Sequence, residues 1–518
     1  MVRPHRSAFH EFLDERQIAR WSRLTLVVLL PFTNSCTLLL DRDVVQCRTN
    51  SDCARFESAS VAYAVCSQGV CVNSGLGPEG CVASAPTSNL DYLNACTTSQ
   101  YLAFDNCTRL GICTTGAVLP DPVAPQQGTA TASVTPTAAP TVRCADAGPN
   151  VIYMTGAADF PPLLAQVTPL LAANGYRGVF FNGSSCSGVS SVFDPTASII
   201  NDVPGTPTTA ANYAFYYDDS GTQVNCTLDP GGKPVDIGVS DLFSTECGAS
   251  YVPGSAVAEY LGPVVTFGII VAAASQEMSI SAEAAHLVFG LGGQNPISGV
   301  PATPWTNYQY YSIRNSGAAA VALTAGLISV PRTGFWGIDR LSPANTATAV
   351  MTTTEPEQAI GLVSINYADT NRHNLRALYL QSTGQLSGFL PDSSPTALDK
   401  ANVRDGHYQL WGYVHFYTAN LGGNPSPAAA AFVTGFSVPD LNQSLVTALI
   451  AASLVPQCAM KVERQSEMGP VGPNTYGFQC GCFFDSLTTG HAACPPCKSN
   501  NDCPPTAPSC NYGFCETT

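Results

Sequence analysis

The chain predicts an α/β body set between two small disulfide-rich modules. Short apolar runs alternate with helical patterns from about residue 143 to 455, and strands that alternate with helices imply a mainly parallel sheet. Cysteine supplies the rest of the argument. All 21 cysteines lie outside the 210-residue stretch between Cys247 and Cys458. Cysteine this dense signals disulfides and an oxidising compartment, while the cysteine-free stretch is long enough to hold its fold with an apolar core.

Taken in order, residues 1–36 read as an export signal. Arg16, Arg20 and Arg23 form a basic flank, and 24–32 (LTLVVLLPF) is an apolar run of nine residues, too short to span a bilayer. A lipoprotein signal ends in a small residue followed by the cysteine that is cleaved at and lipidated. Ser35-Cys36 fits, although Thr33 stands where Leu is usual. The alternative is cleavage nearby, with Cys36 left as a spare thiol. Setting Cys36 aside leaves sets of eight (Cys47 to Cys113), four (Cys144, Cys186, Cys226, Cys247) and eight (Cys458 to Cys515), each even as closed disulfide sets require. Their connectivity is not deducible from spacing.

Residues 37–116 form the first cysteine-rich module. Residues 117–142, dominated by Pro, Ala and Thr, read as an extended, semi-rigid linker, and 456–518 form the second module. The pattern C-x5-C…C-x4-C occurs at both ends, as Cys47/Cys53/Cys66/Cys71 and Cys497/Cys503/Cys510/Cys515. Knobs this small need bridges for stability. Cys494-Pro-Pro-Cys497 also has zinc-ligand spacing, but an exported chain favours disulfides.

Within the middle, 151–154, 178–181, 235–239, 263–272 and 360–365 read as strands. Residues 161–174, 282–289 and 374–381 read as helices, the second capped by Ser281. The chain is only 11% charged, with a net charge of −15. That balance repels phosphate backbones and argues against nucleic-acid binding. No G-x-S-x-G, H-E-x-x-H, P-loop or G-x-G-x-x-G pattern occurs, so an enzyme, a metal site and a cofactor are not expected. His286, on an apolar helix, reads as a satisfied half-buried residue.

Four polar, small-residue loops follow strands: 155–160 (TGAADF), 182–188 (NGSSCSG), 238–241 (GVSD) and 313–317 (IRNSG). Such loops expose amides at helix N-termini, a way to hold an anion without lysine. Each alone is an ordinary turn. In this order, together with ISAEAAHLVFGLGG…TPWTN and AIGLVSINYA, they resemble the phosphate-binding proteins of bacterial phosphate ABC transporters, over about 145–420. The resemblance implies a two-lobed periplasmic binding protein fold with ligand between the lobes and no chemistry. It also implies an ABC transporter permease as partner. Together with the signal at Ser35-Cys36, it places the chain in the periplasm or at the cell surface, lipid-anchored to a bacterial membrane; the alternative is a cell-surface structural or interaction lipoprotein that keeps the scaffold without tight ligand binding.

By the same resemblance, Thr155, Gly156 and Phe160 contact the anion from the first loop, and Ser184 or Ser185 donates from the second. Ser240 belongs to the third loop, and Asp241 accepts a proton from phosphate, which excludes sulfate. Arg314 supplies the positive charge, with Asn315, Ser316 and Gly317 beside it. The chain departs from the pattern at Ala318 and at Ala157-Ala158, where hydroxyls are lost, and Asp159 adds a negative charge. A lost hydrogen bond to a charged ligand costs about 1.5–3 kcal/mol. Cys186 is expected to pair with Cys226 or Cys247. Residues 399–416 read as a return strand with Arg404 and His407 near the cleft or, alternatively, as a surface turn leading into a core strand.

Overall fold

The computed structural model describes residues 64–67, 70–73, 77–113, 118–125, 127–129, 139–202, 213–420, 424–436 and 441–517. The export signal, Cys36, Cys47 and Cys53 lie outside the described residues.

The first lobe is built from β1 (Asn150–Gly156), α1 (Pro161–Ala173), β2 (Tyr176–Asn182), α2 (Ser185–Phe193), β3 (Ala214–Tyr217), β4 (Gln223–Cys226) and β5 (Ile237–Ser240). The long strand β6 (Val257–Ala272) leads into the second lobe. That lobe holds α3 (Ala282–Leu291), β7 (Tyr311–Ile313), α4 (Ala319–Ile328), β8 (Gly337–Asp339), α5 (Pro343–Met351), β9 (Ile360–Ser364), β10 (Leu375–Ala377) and β11 (Tyr379–Gln381). β12 (Trp411–Ala419) returns to the first lobe, and α6 (Gln443–Ala451) and α7 (Gly481–Thr488) follow.

One mixed sheet runs through both lobes in the order β8-β7-β9-β6-β12-β5-β1-β2-β3-β4. Within each lobe the core strands are parallel, as the alternation of strand and helix requires: β5-β1-β2 in the first and β8-β7-β9 in the second. The crossing strands are antiparallel to them. β6 pairs with β12 over Val257 to Thr266, then with β9 over Phe267 to Ile270. A single strand therefore joins the two halves.

β6 begins six residues before the predicted start at 263. The turn-like pair Gly262-Pro263 does not interrupt it but sits in a bulge between Leu261 and Val264, where a residue without an N–H is tolerated. Gln457 donates to the exposed carbonyls of Leu261 and Gly262 at 3.0 and 2.8 Å.

The helix predicted over 374–381 is absent. LRALYLQ forms β10, paired to β6, and β11, paired to Ser279–Ser281. Its residues favour a helix in isolation, but the edge of β6 offers a ladder that buries Leu375, Leu378, Tyr379 and Leu380, and this tertiary pairing overrides local preference.

α1 opens with proline in its first turn and buries Leu163, Leu164, Val167 and Leu171 against the sheet. α3 is capped as predicted. Ser281 accepts from the Ala284 amide at 3.1 Å, and Gly292 closes the other end in the left-handed conformation. His286 lies with each ring nitrogen 2.8 Å from a backbone carbonyl, of Ile328 and Pro120. Pro120 belongs to the stretch read as linker, and Gln127–Thr129 of the same stretch extends the second-lobe sheet beside β8.

Sixteen of the described cysteines close eight bridges: Cys81–Cys96, Cys107–Cys113, Cys144–Cys226, Cys186–Cys247, Cys458–Cys480, Cys482–Cys494, Cys497–Cys510 and Cys503–Cys515. The middle and last sets thus close within themselves. Cys494 and Cys497 bond to different partners, which removes the zinc reading. The repeated pattern appears as the same hairpin twice, with Cys66 opposite Cys71 and Cys510 opposite Cys515. In the second copy Asp502 accepts from the Lys498 and Ser499 amides, which explains the Asp before that cysteine.

Both modules dock on the body. Asn106 bonds Ser281 and Glu283 at the start of α3, and Arg109 pairs with Glu277 at 2.9 Å. Arg404 reaches Asp485 on α7 and donates to the Ala459 carbonyl at 2.8 Å. His407 bonds Asp405 and the Ala95 carbonyl. Arg404 and His407 are therefore not cleft residues but fasteners for the two ends, and 411–419 is the buried core strand.

Candidate functional site

The site lies where four strand ends meet at the boundary of the lobes. β1 ends at Gly156, whose φ is 138°. A Cβ there would stand 1.9 Å from the Val239 carbonyl oxygen, and one at Gly188 2.0 Å from the same atom. Glycine at both positions lets the first three loops pack backbone to backbone. The Ala157 amide then bonds the Val239 carbonyl at 2.9 Å.

Several predicted residues serve that framework. Thr155 donates its hydroxyl proton to the Phe181 carbonyl at 2.8 Å. Phe160 is buried among Phe180, Phe416 and Phe432, and its amide bonds the Ala157 carbonyl. Ser240 both donates to the Leu242 carbonyl and accepts from the Leu242 amide. Asn315 accepts from the Gly317 amide at 3.1 Å. Asn315 and Ser316 are exposed.

Other predicted residues keep free donors or charge. Ser184 caps α2 by accepting from the Ser187 amide at 3.2 Å, and Ser185 accepts from the Asp241 amide at 3.2 Å. Each hydroxyl acts there as acceptor, so its proton remains available to donate. Asp241 is 1% exposed, and its Oδ2 has no hydrogen-bond partner. Burial pushes its carboxyl well above the usual range, reinforced by the negative charges of Asp159 and Glu467. Arg314 is 5% exposed; its Nε has no hydrogen-bond partner among the described residues and forms only a long ion pair with Asp339 Oδ1 at 3.9 Å. Burial lowers its pKa, against the pull of Asp159 and Asp339.

The loops of the two lobes touch. The Cys186 amide in the first turn of α2 donates to the Gly317 carbonyl at 3.2 Å, and a Cβ on Gly317 would stand 3.1 Å from Ser184 Oγ. Asp159 crosses to the Ser364 hydroxyl at the end of β9, and Arg332 reaches both the Glu246 carbonyl and Cys186 Sγ. The Cys186–Cys247 bridge fixes the start of α2. The second and fourth loops therefore meet directly, and Asp241 of the third bonds the second through Ser185.

Sequence reasoning missed Ser364, Tyr367 and Glu467. The signal for Ser364 was present, since LVS-INY is again a strand end followed by a small polar residue and a helix. Glu467 comes from far along the chain, donated to by the Phe243 amide at 3.2 Å, and no local pattern announces it. Among the described residues no helix is long and apolar enough to cross a membrane.

No protein-family model matches the chain, and no curated protein matches it. Among solved structures it is similar to a substrate-binding protein assigned to a phosphate ABC transporter, with bound phosphate, from Clostridium perfringens. That match has 10% identity and a TM-score of 0.39, over 59% of this chain and 99% of the other. It is also similar to an ABC-type phosphate transport receptor from Vibrio cholerae, at 12% identity and a TM-score of 0.36, over 59% and 99%. A third is a high-affinity periplasmic phosphate-binding protein bound with phosphate, at 14% identity and a TM-score of 0.38, over 59% and 90%.

Proposed function

We infer that this is an exported solute-binding protein that captures a small oxyanion, phosphate foremost, between its two lobes and performs no chemistry on it. The observation that carries the reading is Arg314, a buried guanidinium whose Nε has no hydrogen-bond partner among the described residues. A buried arginine without an anion is costly, and bidentate oxyanions match its fork. The hydroxyls of Ser184 and Ser185 and the N-terminus of α2 add donors from the facing lobe. Asp241 would take a proton from the ligand and so discriminate against sulfate. The eight described bridges fit an oxidising compartment. Lipidation at Cys36 and delivery to an ABC transporter permease belong to this reading.

Thermal denaturation with phosphate, arsenate and sulfate tests it. Phosphate at a hundred times its Kd should stabilise by about 2.7 kcal/mol, Arg314→Met should abolish the shift, and Asp241→Asn should admit sulfate. No shift at millimolar phosphate overturns it. A specific observation supports a second reading, a surface interaction protein that keeps the scaffold without tight binding: the lobes are already joined by Cys186–Gly317, Asp159–Ser364 and Arg332–Glu246. That reading predicts surface partners in a pull-down and no response to any oxyanion.

A further inference from the structure

The hydrogen bonds around Ser364 count protons. Its hydroxyl has one, and two oxygens stand against it: Asp159 Oδ1, and Asn366 Oδ1 at 2.8 Å. Asn366 Oδ1 also accepts from the Tyr367 amide at 2.8 Å, which fixes that atom as oxygen rather than nitrogen. An amide oxygen can only accept, so the arrangement that satisfies all three groups is the one in which Ser364 gives its proton to Asn366 and a protonated Asp159 donates to Ser364.

The charges agree with this count. Asp159, Asp241 and Arg314 meet in one cleft, two acids against one base. The titratable and charged groups facing Asp159 come from each neighbouring element: Asp241 after β5, Arg314 after β7, and Tyr367 in the helix Ile365–Thr370. Behind them Asp339 faces Arg314 at 3.9 Å, and Glu467 faces Asp241. Burial, the largest effect, raises the Asp159 carboxyl, and the Arg314 charge opposes it. Asp241 Oδ2, buried and unpartnered, leaves a second acceptor waiting for a proton.

We propose that Asp159 makes the cleft a proton-requiring oxyanion site, which holds its ligand only with a proton on Asp159 and another between Asp241 and the ligand. The inference rests on the reading of the cleft as an oxyanion receptor. With both carboxylates ionised, a dianion would face two negative charges and one positive. With the proton retained on Asp159, Arg314 is left to the ligand, and monobasic phosphate or arsenate is favoured over the dibasic forms and sulfate. Asp159 is then a specificity-determining residue: it permits the anion when protonated and competes for Arg314 when ionised.

Phosphate binding by calorimetry at pH 5.5, 7 and 8.5, in pairs of buffers with different ionisation heats, tests this. The full chain should bind more weakly as pH rises, with a slope steeper than the roughly tenfold per pH unit that the proton shared by Asp241 and the ligand gives alone, and the heats should show uptake of more than one proton at pH 8.5. Asp159→Asn keeps the shape and removes the titration. It should flatten the slope and bind more tightly than the unaltered chain at pH 8.5. Because proton uptake is read on the unaltered chain, the test does not depend on the variant folding. Phosphate binding with uptake of no more than one proton at pH 8.5, or with the same slope in Asp159→Asn, overturns this inference and leaves the receptor reading standing. Absence of phosphate binding at every pH defeats the receptor reading, and this inference with it.

Discussion

Two buried ionic clusters in this chain are assembled in opposite ways. In the second lobe, Lys400 Nζ lies 2.8 Å from Asp369 and 2.9 Å from Asp392, and Arg372 pairs with the same two carboxylates at 2.6 and 2.8 Å. Each charge meets two of opposite sign. Burial works against the charge on Lys400, but the carboxylates outweigh it and its pKa stands above the ordinary lysine value. At the lobe boundary, Arg314 and Asp241 are also buried, yet Arg314 Nε and Asp241 Oδ2 have no hydrogen-bond partner among the described residues. The first cluster is complete within the protein and holds its fold. The second leaves donors and acceptors open, which is how a site for an outside ligand differs from a structural network.

The largest expected effect tests the completeness of the first cluster. Lys400→Met leaves Asp369 and Asp392 sharing only Arg372, and breaking a buried pair from one side costs about 3–5 kcal/mol. Denaturant unfolding reads this directly. A loss below about 1 kcal/mol would mean that water or rearrangement replaces Lys400, and the contrast between the clusters would fail.

Arg314→Met should be far milder, a change within about 1 kcal/mol, because it removes a charge whose Nε has no hydrogen bond to lose among the described residues and whose attraction to Asp159 and to Asp339, 3.9 Å away, is offset by the cost of its burial. The same unfolding measurement serves. A loss as large as that for Lys400 would make Arg314 a structural residue and weaken its reading as a ligand group.

The two clusters also differed in how far sequence exposed them. Arg314, Asp241 and the serines of α2 were legible because each sits in a short polar loop after an apolar strand, and that local pattern carries the chemistry. Lys400 was not, because its partners Asp369 and Asp392 lie in segments whose approach is set by tertiary packing. The same limit explains the misread helix at 374–381, where strand pairing overrode local preference, and the strand read as 263–272, which begins at Val257 because Gly262-Pro263 is accommodated in a bulge. Thr155 and Ser240, read as loop residues, are in fact in the last residues of β1 and β5, and only coordinates show that their polar groups, like the Phe160 amide, are already committed to the backbone.

The smallest effect concerns the sign of a pH dependence. Asp241 has its carboxyl raised in the folded state by burial and by Asp159 and Glu467. A group raised in this way binds its proton more tightly folded than unfolded. Its contribution to stability is fully present below the unfolded value near 3.8 and is lost as pH rises through the folded value. Asp241→Asn removes that loss. The variant should match the unaltered chain near pH 4 and become the more stable of the two as pH rises towards 8, in the absence of ligand. Asp392→Asn should do the reverse at neutral pH, since it strips a partner from Lys400. If both asparagine variants shift stability in the same direction at pH 8, the open cluster is as structurally committed as the closed one, and the unpartnered oxygen of Asp241 is not the mark of a ligand site.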